Sequence, residues 1–148
     1  MKTKSAQAPG KIRSQIAAMP FRRKADGTAE IMLVTSRTTH RWIVPKGWPI
    51  KGLKDHEAAA REAREEAGVV GAVARKPAAS YTYWKRLDDH FQLCEVKLYR
   101  LEVERQLADW AERGERRCQW FSLADAADLV DDPGLGAAIR ALADDAAA

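Results

Sequence analysis

Cysteine is scarce in this chain of 148 residues: there are two, Cys94 and Cys118. Two cysteines so far apart make neither a disulfide framework nor a zinc-ligand spacing. Both sit in apolar, strand-like runs, which reads as buried free thiols in a reducing, cytoplasmic setting. No apolar stretch approaches the roughly 20 residues needed to span a bilayer. The N-terminus carries lysines but no apolar run of signal-peptide length. No internal repeat is visible. Net charge is small: 25 basic and 21 acidic residues leave +4, and much of the excess lies in the first 24 residues. That excess suits anionic ligands without marking a nucleic-acid arm. The stacked-aromatic pattern of sequence-reading RNA modules is missing as well. No serine or cysteine has a recognisable base motif near it, which argues against covalent catalysis. Membrane partners are therefore excluded, nucleic acid is kept only as an alternative, and the oligomeric state is not set by any feature.

What is present is the composition of an ordinary globular domain, 46% apolar and 31% charged. Residues 1–12 read as a disordered basic tail and residues 13–148 as a single domain. A strand starts near Arg13, and the Asp26-Gly27 turn leads into EIMLVTS, a hairpin pattern. WIVP is a short strand that stops at Pro45. VVGAVAR, ASYTYWKR, HFQLCEVKLYRLEVE and CQWFSL are further strands. SLADAADLV and LGAAIRALADD are helices. Local hairpins with only three helices predict an α+β domain, with helices packed on a sheet.

The third helix, EAAAREAREEA, has Asp55 as its expected N-cap and Gly68 as its left-handed stop. At about 100° per residue, Glu62, Glu65 and Glu66 share one arc of roughly 100°. Ala59, Ala60, Ala63 and Ala67 form an adjacent packing face, and Arg64 marks a third face near Glu57 and Arg61. Like charges at these spacings repel by a few tenths of a kcal/mol per pair. The acidic arc is either a solvated surface or a seat for a hard cation such as Mg²⁺ or Mn²⁺. The preceding loop, PKGWPIKG, tilts the reading toward a site. Gly47 and Gly52 permit close backbone approach, and the loop delivers the chain to a positive helix end that favours phosphate.

GWPIKGLKDHEAAAREAREEAGV resembles the Nudix box. Gly47 matches its first position, and Arg61, Glu62, Ala63, Glu65, Glu66, Gly68 and Val69 match its last block in register. One position departs: the pattern's first glutamate falls on Leu53, which puts in question any extra metal or loop bracing from that residue. The resemblance implies a Nudix-type α/β/α sandwich with a mixed β-sheet, and Mg²⁺-dependent (or Mn²⁺-dependent) hydrolysis of a diphosphate linkage. Carried over by position, Glu62 and Glu66 are the main metal ligands. Glu65 is a further ligand or the base that activates water, by preference the base. Arg61 fixes carboxylate geometry by pairing with Glu57 and Glu65.

Beyond the box, the RWIVP run and the segment ADWAERGERRCQWFSLADAADLV are similar to the diphosphoinositol polyphosphate phosphohydrolase branch. That branch takes diphosphoinositol polyphosphates and dinucleoside polyphosphates such as diadenosine polyphosphates. The small-molecule phosphoanhydride substrate it implies needs many cations. The candidates are Arg13, Ser36, Arg37, Arg41, Lys46, Gly47, Lys85, Arg86 and His90. His90, Lys85 and Arg86 also read as ordinary surface residues of a hairpin, and Trp48 as a loop anchor or a stacking ring. Two rival classes remain: a module that senses a nucleotide or inositol phosphate without cleaving it, and an RNA-end-processing pyrophosphohydrolase.

Overall fold

The computed structural model describes residues 11–147. The tail expected over residues 1–12 lies outside the described residues, except for Lys11 and Ile12, which are exposed. The elements in chain order are β1 (Arg13–Arg23), β2 (Ala29–Thr35), β3 (Trp42–Ile43), β4 (Lys46–Gly47), α1 (Asp55–Ala67) and β5 (Val69–Val73). They continue with β6 (Ala79–Arg86), β7 (Phe91–Gln106), β8 (Cys118–Ser122), α2 (Leu123–Leu129) and α3 (Pro133–Ala147).

The hairpins form where turn chemistry demanded them. Between β1 and β2, Asp26 Oδ1 accepts from the Thr28 N–H at 2.9 Å and from the Thr28 hydroxyl at 2.6 Å. Gly27 supplies the positive φ of +87° that this turn needs. The sheet is mixed. β1 runs parallel to β7 from Arg13↔Cys94 to Phe21↔Glu102, while β2, β4, β5, β6 and β8 pair antiparallel with their neighbours. Each face is covered, giving the expected three-layer sandwich. On one face α1 packs over Ile16, Ala18, Met32, Val34, Tyr99 and Leu101. On the other, α2 and α3 bury Met19, Ile31, Leu33, Val96 and Leu98. Among the described residues no helix is long and apolar enough to cross a membrane.

Helix α1 departs from expectation in detail. Lys54, not Asp55, is the N-cap residue, because Glu57 reaches back and its Oε1 accepts from the Lys54 N–H at 2.8 Å. Asp55 instead sits in the first turn, where its charge still suits the positive helix end. The fully buried stripe is Ala58, Ala59, Ala63 and Ala67; Ala60 is only half-buried. Four alanines let the helix axis approach the sheet closely, which matters for the glutamates it carries. The stop is Gly68, at φ 67°, whose N–H bonds the last turn of carbonyls. A Cβ at Gly68 would lie 2.3 Å from the Trp110 ring. Gly68→Ala is therefore expected to incur both the left-handed backbone penalty and a clash, lowering stability by about 2 kcal/mol or more. A thermal melt should show Tm reduced by roughly 4–8 °C.

Candidate active site

The two residues of β4 organise the site. They pair with β1 at Ile16↔Gly47 and Ala17↔Lys46, and the Ala18 N–H donates to the Pro45 carbonyl at 3.0 Å. Successive strand residues point to opposite faces. Gly47 faces α1, so closely that a Cβ there would lie 2.5 Å from Glu62 Oε2. Lys46 faces the other way, with Nζ 5.2 Å from the centre of the Tyr83 ring.

On the α1 side, Glu62 and Glu66 come together one helical turn apart. Burial pushes both carboxyls above the usual range, Glu66 to about 9. After burial, the side-chain hydrogen bond between them holds Glu62 down and pushes Glu66 up, which separates the two carboxyls and eases their like-charge repulsion. Glu65 stands apart from this pair. Its Oε2 lies 3.6 Å from Arg61 Nε, and both line an open cleft of about 540 Å³ with Arg64, Leu107, Asp109, Trp110 and Ala111. It still acts on Glu62 through its charge. The expected three-carboxylate wall is thus a pair with a neighbour. The expected second partner of Arg61 is also absent from it, since Glu57 is the residue that caps α1.

Two residues that the helical spacing could not supply join the pair from the segment after β7. Arg116 Nε donates to Glu112 Oε1 at 2.8 Å, and Arg116 Nη2 lies 3.9 Å from Glu66 Oε1. The charge of Glu112 helps raise both carboxyls, while that of Arg116 opposes the rise. Both residues belong to the polar ADWAERGERR stretch, and no periodicity links that stretch to α1.

On the Lys46 side several of the candidates lie within electrostatic reach of one another. Burial, then the charge of Lys85, pull Lys46 down to about 8. The Tyr83 hydroxyl donates to the buried Gln15 at 2.6 Å. Arg13 stacks on Trp48 at 4.0 Å from the ring centre. Arg41 Nη1 lies 3.5 Å from Asp131, and its charge, with that of Lys46, restrains the burial-raised carboxyl of Asp132. Ser36 serves the loop: its Oγ accepts from the Arg41 N–H at 3.0 Å and lies 2.6 Å from Thr39 Oγ1. Arg37 pairs with Glu115 at 3.2 Å. Arg86 and His90 are not drawn in with Lys85. Arg86 alternates to the opposite sheet face from Lys85, and His90 sits exposed in the β6–β7 turn with Nδ1 2.6 Å from Asp89. Cys94 is a buried thiol as expected, while Cys118 is only half-buried; burial raises both, which makes them poor nucleophiles.

Among the described residues, no three His, Cys, Asp or Glu side chains are already gathered as a ligand shell. The donor set nonetheless fits a hard divalent ion. Glu62 and Glu66 offer buried carboxylate oxygens, Glu112 lies within their electrostatic reach, and Gly47 leaves room that any side chain would fill. The departure at Leu53 does not disturb them. Leu53 packs with the α1-side core, an apolar contact where the motif has an acid.

The raised carboxyl of Glu66 has a consequence for stability. A carboxyl raised by folding is destabilising once pH exceeds its unfolded value near 4.5, and this penalty grows up to the folded value of about 9. Glu66→Gln removes it. In metal-free protein at pH 8 the variant is expected to melt a few degrees higher than wild type, and the difference should vanish toward pH 4.5. Paired thermal melts across this range measure it.

Comparison with known proteins points the same way as the geometry. Residues 13–142 match the model of the NUDIX domain. Nudix hydrolase 12, mitochondrial, of Arabidopsis thaliana is 32% identical over 108 residues, covering 68% of this chain and 51% of that protein. Diphosphoinositol polyphosphate phosphohydrolase 3-alpha of Homo sapiens is 32% identical over 129 residues, covering 82% of this chain and 71% of that one. The chain spans about half the length of the first Arabidopsis relatives it matches. A solved structure of a C. elegans Ap4A hydrolase binary complex superposes with a TM-score of 0.65 at 22% identity, covering 88% of this chain and 95% of that one, which shows a shared fold. A domain model matched over nearly the whole described chain, on a three-layer sandwich of mixed sheet and helices, establishes that the chain belongs to the NUDIX domain family.

Proposed function

We propose that the chain is a Mg²⁺-dependent pyrophosphohydrolase that cleaves a phosphoanhydride bond in a small, highly anionic substrate. The observation that carries this reading is the half-buried Glu62 and buried Glu66 against Gly47, with cationic side chains on the other side of the same two-residue strand. A Mg²⁺ or Mn²⁺ ion held by Glu62 and Glu66 would neutralise phosphate charge and make water a stronger nucleophile. Lys46, Lys85, Arg13 and Arg41 bind the phosphates. Glu65, half-exposed and 3.6 Å from Arg61 Nε, is the base we assign to take the proton from the attacking water. Water attacks phosphorus, the anhydride P–O bond breaks, and a phosphate or nucleotide leaves.

Substrate class follows from what the aromatic rings already hold. Arg13 covers Trp48, Lys46 covers Tyr83 and Arg117 approaches Trp42. A nucleobase that stacked on these rings would have to displace a cation, whereas phosphate groups would meet those cations directly. This favours a diphosphoinositol polyphosphate, in keeping with the human relative's name. A dinucleoside polyphosphate is the second reading, favoured by the Ap4A hydrolase fold match. Against the sensor alternative stand the Nudix hydrolase relatives, while Leu53, its one support in the sequence, packs against the α1-side core. Two free thiols fit a reducing compartment, and we keep the cytoplasm as the proposed one; the Arabidopsis relative is named as mitochondrial.

Phosphate release from a panel of diphosphoinositols, diadenosine polyphosphates, nucleoside triphosphates and nucleotide sugars tests the reading. Turnover should require Mg²⁺ or Mn²⁺ and stop with chelator. Glu66→Gln should lower kcat by about a hundredfold or more with the fold intact. Gly47→Ala should fold, since only the flexible end of Glu62 is in the way, yet lose at least about tenfold in rate by displacing that carboxylate. Full activity of Glu66→Gln would remove the basis of the assignment.

A further inference from the structure

Arg116 is held more firmly than a surface arginine. Its side chain is 9% exposed. Nε donates to Glu112 at 2.8 Å, Nη1 donates to the Thr35 carbonyl at 3.1 Å, and Nη2 lies 3.9 Å from Glu66. The adjoining backbone is pinned as well: the Arg117 N–H donates to Thr35 Oγ1 at 2.9 Å, and the Thr35 N–H donates to the Arg117 carbonyl at 3.0 Å. A guanidinium cannot shed its charge, so this is a permanent positive charge inside a carboxyl cluster.

We propose that Arg116 is a resident cation of the Glu62, Glu66 and Glu112 cluster and sets how tightly that cluster binds a divalent ion. The proposal rests on the reading of Glu62 and Glu66 as the metal ligands. Arg116 donates to Glu112 and lies 3.9 Å from Glu66, so an incoming divalent ion must compete with it for the same oxygens. Repulsion acts on the incoming ion too. A divalent ion feels it twice as strongly as a monovalent one would at the same distance, so removing Arg116 favours metal binding. Leu53 adds no compensating acid, because it is spent on core packing. The site is accordingly tuned to weak metal binding in the free protein. Arg116 is a positioning residue here, acting through the two carboxylates.

The experiment titrates Mn²⁺ into the full-length chain without substrate, following free Mn²⁺ by electron paramagnetic resonance. Arg116→Gln is expected to lower the Mn²⁺ Kd by at least about tenfold, and Arg116→Lys, which keeps the charge, to stay within about threefold of wild type. Equal or weaker binding by a folded Arg116→Gln overturns the proposal alone. If that variant does not fold in a thermal melt, Glu112→Gln decides. Arg116 then leans wholly on Glu66, Mn²⁺ binding should weaken at least about tenfold, and unchanged binding overturns the proposal. Absence of Mn²⁺ binding by wild type and every variant instead defeats the ligand assignment, and the proposal with it.

Discussion

Two carboxyl groups buried one helical turn apart are the constraint around which the rest of this structure is arranged. In an isolated helix such a pair costs a few tenths of a kcal/mol; away from water the cost is far larger. Three features offset it here. The Glu62–Glu66 hydrogen bond separates the two carboxyls, Arg116 brings a positive charge within 3.9 Å of Glu66, and Ala58, Ala59, Ala63 and Ala67 anchor α1 to the sheet. The alanine stripe is both cause and remedy. It draws the helix close enough to bury Glu66, and its packing holds the helix there against the electrostatic penalty.

Much of this was legible in local sequence, for physical reasons that can be named. The Asp26-Gly27 turn closes its hairpin through side-chain hydrogen bonds to a neighbour two residues on, so the signal and the structure are the same few atoms. Gly68 stops α1 because a left-handed residue is needed there. The glutamates share a face because the helical period fixes it. The N-cap falls one residue earlier than expected because Glu57, at the third helical position, accepts from the Lys54 N–H and leaves Asp55 inside the first turn.

What sequence could not show depends on contacts between distant segments. The parallel register of β1 with β7 joins residues about eighty positions apart, and no turn chemistry encodes it. Glu112 and Arg116 reach the carboxyl pair only because β2 pairs with β8 at Val34↔Cys118, which sets the preceding turn beside α1. The helical wheel therefore showed an acidic face without a cation, when the cation comes from another segment. The wheel also grouped Glu65 with its neighbours, although its 60° offset is enough to turn it into the cleft shared with Arg61 and Trp110.

The position of β4 ties acid and base chemistry into one mechanical unit. Only two residues pair with β1, with one further backbone bond from Ala18 to Pro45, yet they set the whole site. A slip of one residue would exchange the faces of Lys46 and Gly47. Lysine would then point at Glu62, where a Cβ fits only by pushing the carboxylate aside, and Tyr83 would lose the cation beside it. Both errors oppose the slip. The steric demand of the carboxylate for glycine and the fit of lysine beside Tyr83 and Asp132 select the same register, so the strand does not need to be longer. The two halves of the site thereby hold each other in place: each is correctly aimed only when the other is.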